Sequence, residues 1–241
     1  MSATERRQML KRERALAACC PVMARLIKAA GRCTLEPRLE RPPFESLARA
    51  IAHQQLNGVV AERILGRFIA LHAPAAFPAP EALLACDDAA LRACGFSFGK
   101  IRALRDLAEK VHSGAVPAPA ELPALADEEI IERISAVHGI GRWTVEMLLM
   151  FQLGRRDVLP VDDFGVCNGF RLAYGLRGMP RPKALAKYAE RWAPERTLAA
   201  WYLWRAVDLH RAGKLPARRG KPPRVAQLKK KTKSAPQAQR R

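Results

Sequence analysis

The sequence predicts an all-α protein. Ala, Leu and Arg dominate, Thr and Tyr are scarce, and no run of alternating β-branched residues appears. Apolar positions instead recur at three- and four-residue spacing, punctuated by Pro and Gly clusters. With 241 residues and 49% apolar content the chain can bury a core as one large domain or two small ones.

The elements follow in order. Residues 21–31 read as a short helix, with Pro21 in its first turn and Gly31 as its stop. Pro42 and Pro43 then predict an extended linker. From Phe44, the positions Phe44, Leu47, Ala48 and Ile51 share a helical face and lead into His53, Gln54, Gln55, Leu56, Asn57 and Gly58. Asn57 can cap a helix that buries Val60, Ile64, Leu65 and Phe68. Residues 74–80 are a loop. Ser97 can cap a helix carrying Ile101, Leu104, Leu107 and Val111, and 117–123 is another loop. Asp127 can cap a helix with Ile130, Ile131, Ile134 and Val137. A four-residue turn, His138 to Gly141, separates it from a last clear helix over 142–153.

Charge points to the partner. Lys plus Arg is 42 and Asp plus Glu is 23, giving +19. Such an excess favours a polyanion, with nucleic acid first and an anionic membrane surface second. No stretch of about 18 apolar residues is present, so no transmembrane helix is expected. The N-terminus has basic residues, but Glu5 and Glu13 interrupt them and no apolar segment follows. It reads as neither signal nor transit peptide. The six cysteines, at 19, 20, 33, 86, 94 and 167, form no CxxC pair and no zinc spacing with a histidine. They read as small buried hydrophobes in a reducing cytoplasm. No acidic residue follows Asp208. Residues 211–241 hold twelve of the basic ones, leaving 30 against 23 acidic, or +7, for residues 1–210. The segment 211–241, rich also in Pro and Gln, is expected to be a disordered basic tail.

The most informative stretch is Val137, His138, Gly139, Ile140, Gly141, Arg142, Trp143 and Thr144. Two glycines two apart, between amphipathic helices, allow a tight turn that exposes backbone. The following helix start offers N–H groups and a positive dipole end to a phosphate. Alone, a GxG turn is also what an ordinary helix–helix connection contains.

HGIGRWT resembles the helix-hairpin-helix motif of DNA glycosylases. Twenty residues after Trp143, the segment DVLPVDDFGV around Asp162 and Asp163 resembles the one that carries that superfamily's catalytic aspartate. IAHQQL resembles the segment whose loop enters the duplex, GFSFGKIRAL another family segment, and ERWAPERTLAAWYLWRA the closing helix. The five stand in family order over residues 44–206. They are most similar to the 3-methyladenine DNA glycosylase II, or alkylation-repair, branch.

The resemblance implies an all-α fold of two helical subdomains with the active-site cleft between them. One subdomain would be 43–155, containing the hairpin, and the other 1–42 with 156–210. It implies hydrolysis of the N-glycosidic bond of alkylated purines such as 3-methyladenine in duplex DNA. Asp163 is the catalytic candidate. It precedes Phe164 and has apolar Val166 three positions on, whereas Asp162 has Gly165 there; Asp162 remains open as a partner in the role, and either can cap a helix. Trp143 and Trp204 match base-pocket positions, and Met147 stands where the family usually has tyrosine. Trp192 and Trp201 are assigned to the core. DNA contacts are expected from Gln55, Leu56, His138, Gly139, Ile140, Gly141, Arg142 and Thr144, with His138, in place of the family's proline, read as structural. Bifunctional relatives carry a Schiff-base lysine where Trp143 stands, so a monofunctional enzyme is expected. The last cysteine is Cys167, so no endonuclease III-type iron–sulfur cluster is expected. No cofactor is required. The resemblance suggests only a monovalent cation, Na+ or K+, at the hairpin. A monomer acting on double-stranded DNA in the cytoplasm, at the nucleoid and with no membrane, completes the expectation. A glycosylase of another base specificity and a non-catalytic helix-hairpin-helix DNA-binding protein are the alternatives.

Overall fold

The computed structural model describes residues 3–37, 41–217 and 222–227. Among them are twelve α-helices, one 3-10 turn and no strand. The chain divides into two compact units, Met1–Thr34 with Leu159–Arg241, and Leu35–Val158. None of the described helices is long and apolar enough to cross a membrane.

The first unit begins with α1 (Ala3–Cys19) and α2 (Pro21–Ala30). Pro21 opens α2 where a missing N–H costs nothing, and Gly31, at φ 78°, ends it. Helix α1 has no clear apolar stripe in the sequence. It is held by Leu16, 2% exposed, and by buried Glu13, whose Oε1 accepts from Cys33 N at 2.8 Å and from the Tyr202 hydroxyl at 2.7 Å.

The second unit contains α3 (Pro43–His53), α4 (Gly58–Leu71), α5 (Pro80–Ala85), α6 (Asp88–Cys94), α7 (Phe98–His112), α8 (Asp127–Ser135) and α9 (Arg142–Phe151). Pro43 is helical rather than part of the linker, because a first-turn proline needs no N–H partner. Asn57 caps α4 by accepting from Val60 N at 2.9 Å, and Ser97 caps α7 by accepting from Lys100 N at 3.4 Å. The expected buried face of α4 is corrected at one position. Ala61 is inside and Val60 is 38% exposed. Asp127 is also corrected: Ala126 is the extended N-cap residue, while the Asp127 carboxylate lies 3.3 Å from Arg155 Nε. Helix α9 ends at Phe151, two residues earlier than its apolar pattern extends. The short helices α5 and α6 span too few residues to show a period. Their order comes from packing, with Leu83 and Leu91 fully buried. Phe68 lies at the centre, edge-on to Phe77 and Phe96 at 5.9 and 5.5 Å.

The chain then returns to the first unit as α10 (Phe164–Tyr174), α11 (Pro182–Ala189), the 3-10 turn Glu190–Trp192 and α12 (Arg196–Arg211). Helices α10 and α12 pack backbone to backbone. A Cβ on Gly169 would stand 1.9 Å from Leu203 O. Phe170, Tyr174, Tyr188 and Trp192 form an aromatic cluster beside them, with Trp192 1% exposed. Trp201 is half-buried, edge-on to Tyr202. Of the expected tail, residues 218–221 and 228–241 lie outside the described residues. Residues 222–227 are held against the segment before α11: Arg181 N donates to Ala226 O at 2.8 Å, and Gly178 N donates to Gln227 Oε1 at 2.6 Å.

The Gly169 contact makes a prediction about stability. Gly169→Ala forces a methyl into a backbone carbonyl and should cost about 3 kcal/mol, the upper part of the overpacking range. Gly66→Ala, in exposed helical backbone where a Cβ meets nothing within 4 Å, should be neutral or stabilising by about 0.5–1 kcal/mol. Urea unfolding of the two variants measures both.

Candidate active site

Asp163 sits at the start of α10. Its backbone is extended (φ −66°, ψ 123°), and its Oδ1 accepts from Val166 N at 2.7 Å, capping the helix. The same oxygen accepts from Trp204 Nε1 on α12 at 2.8 Å. The resemblance assigns these residues separate roles, as carboxylate and pocket wall; a hydrogen bond joins them. Gly165 makes room for it, since a Cβ there would stand 2.7 Å from Trp204 Cδ1 and 3.1 Å from Asp163 Oδ1. Asp163 is half-buried, while Asp162 is exposed.

Two neighbours have surroundings that the sequence does not show. Phe164 is 74% exposed, a large aromatic left in solvent beside the carboxylate. Cys167 Sγ donates to Val161 O at 3.0 Å, and its thiol is pushed up to about 11 by burial and then by the charges of Asp163 and Asp162. It stays protonated near neutral pH and offers no nucleophile.

The hairpin lies in the other unit, between α8 and α9. Gly139 takes φ 78°, which favours glycine, whereas Gly141 has an ordinary φ of −94°. A Cβ on Gly141 would meet nothing within 4 Å, so the fold itself does not demand glycine there. His138 N donates to Asp106 Oδ2 at 2.6 Å and Ile140 N donates to Val137 O at 3.0 Å. The N–H groups of Gly139 and Gly141 find no acceptor among the described residues. Those two donors, not the whole turn, are what the hairpin can present to an anion.

The side chains around the turn divide by role. His138 Nε2 accepts from Arg102 Nε at 3.0 Å, a structural bond. Ile140 is 4% exposed, so its side chain belongs to the core and only its main chain can serve a partner. The Arg142 guanidinium donates to both oxygens of Glu128, at 2.6 and 2.9 Å, and to Glu146 at 3.0 Å. Glu146 is buried, and the pairing raises the Arg142 pKa further. As a phosphate contact Arg142 is therefore compensated by carboxylates, and its first task is to tie α8 to α9.

The loop after α3 exposes Gln55, at φ 57°, and Leu56. Val59 and Val60 on the first turn of α4 are 64% and 38% exposed. Trp143 is 49% exposed near the start of α9. Thr144 and Met147, one turn apart on α9, line a cavity of about 120 Å³ with Leu47, Phe151, Ser46 and Gln152. Ser46 Oγ and Gln152 Oε1 are buried without hydrogen-bond partners among the described residues. Neither is legible in the sequence, because a polar residue within a helix (Ser46) or at a helix C-cap (Gln152) carries no signal that it faces a cavity.

This arrangement is one known class of protein. The chain belongs to the HhH-GPD superfamily of base excision DNA repair proteins, whose family model matches residues 48–195. It is 44% identical over 186 residues to DNA-3-methyladenine glycosylase 1 of Schizosaccharomyces pombe, covering 77% of this chain and 82% of that one. Its fold is similar to a 3-methyladenine DNA glycosylase from the same yeast in complex with abasic DNA, at TM-score 0.70 and 42% identity over 81% of this chain and 95% of that one. A DNA-3-methyladenine glycosidase from Bacillus halodurans matches at TM-score 0.75 and 36% identity, covering 83% and 91%.

Asp106 makes the hairpin's footing sensitive to acid. Burial alone would raise its carboxyl, but hydrogen bonds from Lys110 Nζ and His138 N outweigh that and hold it below the ordinary value of 3.8. A depressed folded pKa gives stability that is present above 3.8 and lost as pH falls through the lower folded value. Asp106→Asn should therefore be less stable than the parent at neutral pH, with the difference closing below about pH 4. Urea unfolding across a pH series checks this.

Proposed function

We propose that this chain is a monofunctional DNA glycosylase. It hydrolyses the N-glycosidic bond of alkylated purines such as 3-methyladenine in duplex DNA, releases the base and leaves an abasic site. The observation that carries this reading is the Asp163 carboxylate, held by Val166 N and Trp204 Nε1 across a side-chain-free Gly165. A carboxylate serving only as a helix cap needs the first of these bonds and not the second.

The chemistry needs one carboxylate. The target base is stacked and must be flipped out, with Gln55 and Leu56 filling the gap. An alkylated purine carries a positive charge and leaves with the electron pair of the glycosidic bond, becoming neutral. No acid is needed to expel it, unlike a neutral sugar leaving group. Asp163 stabilises the oxocarbenium-like sugar, and its orientation is fixed by its two N–H donors. A water then adds through its oxygen to C1′ and gives its proton to Asp163 or to solvent. The resemblance assigns Trp143 and Trp204 to the base pocket, and an indole face is worth about 0.5–2 kcal/mol to a cationic base. No amine stands in the place of Trp143, so no Schiff base forms and the strand is left intact.

Gly139 and Gly141 hold a DNA phosphate through their N–H groups, and Thr144 stands behind them on α9. A monovalent cation, Na+ or K+, fits the same turn. His138 O and Ile140 O accept no hydrogen bond among the described residues, and neutral carbonyl oxygens suit such an ion. It would balance phosphate charge, and no step of the hydrolysis passes through it. The enzyme works as a monomer on cytoplasmic DNA.

The direct test is incubation with methylated duplex DNA, identification of the released base, and treatment of the product with alkali. The expected product is an abasic strand that breaks only under alkali. Asp163→Asn removes charge with little change of shape and should bind DNA but lose base release by at least about a hundredfold. Asp162→Asn should retain it. Excision by the first variant with loss in the second would reassign the carboxylate.

Gly141→Ala tests the phosphate grip separately. Its φ is ordinary and its Cβ meets no protein atom, so stability should stay within about 0.5 kcal/mol. DNA affinity should fall, because the methyl stands where a phosphate approaches. Thermal unfolding and fluorescence anisotropy with duplex DNA separate the two effects.

A further inference from the structure

The loop that would enter the duplex is fastened at both ends. Helix α3 finishes at His53, and its last carbonyls have no partners within the helix. Lys100 Nζ, reaching from α7, donates to Ala52 O at 2.6 Å. Two residues later, Gln54 Nε2 donates to Gly139 O in the hairpin turn at 2.8 Å. On the far side, Asn57 caps α4 through Val60 N.

Between these anchors lies Gln55, the only non-glycine residue with positive φ among those described. Left-handed backbone is unfavourable for a residue with a Cβ. Glutamine lacks the short side chain that lets Asn or Asp offset this locally. Such a conformation persists only where the surroundings over-determine it. Here Gln54 is tied to the hairpin and Asn57 to α4, so the loop must turn sharply between two fixed points. The turn leaves Gln55 and Leu56 exposed.

We propose that Gln54 is a positioning residue. It couples the duplex-entering loop to the phosphate-binding hairpin, so that Gln55 and Leu56 enter the DNA in register with the backbone grip. Gln54 is half-buried and its amide is committed to Gly139, so it acts through its neighbours. This rests on the glycosylase reading above and adds to it the part that governs base flipping. The coupling matters where flipping must disrupt a paired, stacked base. It matters little where the base has no partner, because extrusion then costs less.

The test compares single-turnover excision at saturating enzyme on two duplexes. Both carry the same methylated purine, paired normally in one and opposite an abasic-site analogue in the other. Gln54→Ala removes the donor. Gln54→Glu keeps the length of the side chain but replaces the amide donor with an acceptor-only carboxylate. Each variant should slow the paired duplex roughly three- to tenfold, the range of one lost hydrogen bond, and the unpaired duplex less than twofold. A merely structural role would slow both alike. Equal slowing on the two duplexes, no slowing on either, or failure of both variants to fold overturns the proposal. Release of no base from either duplex by the parent protein overturns the glycosylase reading itself, a separate result.

Discussion

An α-helix leaves its first N–H groups and its last C=O groups without internal partners. With twelve mostly short helices among the described residues, those ends are numerous and must be satisfied from outside. The candidate functional features of this protein sit at such ends. Asp163 satisfies the start of α10, Lys100 Nζ donates to Ala52 O near the end of α3, and Gln54 just past that end donates to Gly139 O. The N–H groups of Gly139 and Gly141 before α9 find no acceptor among the described residues. The polar chemistry is thus borrowed from the requirement that holds the helices together.

Sharing has a consequence at Asp163. A carboxylate that is also a helix cap is held rigidly, with one oxygen fixed by a backbone N–H and by the Trp204 indole. In the proposed mechanism that rigidity helps, because a carboxylate that presents charge to a developing cation then needs no reorganisation when the charge appears. It also makes two glycines part of the site's support. Gly165 keeps the carboxylate and indole in contact, and Gly169, one turn on, lets α10 lie against α12 closely enough for Trp204 to reach.

The hairpin shows the opposite use of the same physics. The N–H groups of His138 and Ile140 are satisfied internally, and Arg142 is balanced by Glu128 and Glu146. What remains open is small and directional. With +19 over the whole chain, long-range attraction to a polyanion does not depend on the hairpin. In the proposed reading the hairpin adds placement, and the bond from Gln54 to Gly139 would carry that placement to the loop after α3.

Helix class and most caps were legible in the sequence because they depend on nearby residues, whereas the segment of Asp162 and Asp163 stood out through its resemblance to a family. Periodicity identified Ile64, Leu65 and Phe68 as inward-facing, Asn57 and Ser97 announced their helices, and the hairpin glycines stood out by spacing. Short α5 and α6 had too few residues to show a period, and Asp127 had the right chemistry for a cap but lies one position inside the helix. The bond between Trp204 and Asp163, the one between Gln54 and Gly139, and the commitment of Arg142 to two glutamates were decided only in three dimensions. Each joins residues from different helices or from a loop and a turn, or sets one ion pair against another. Local pattern fixes which residues a helix turns inward, but only packing decides which polar group comes within 3 Å of which.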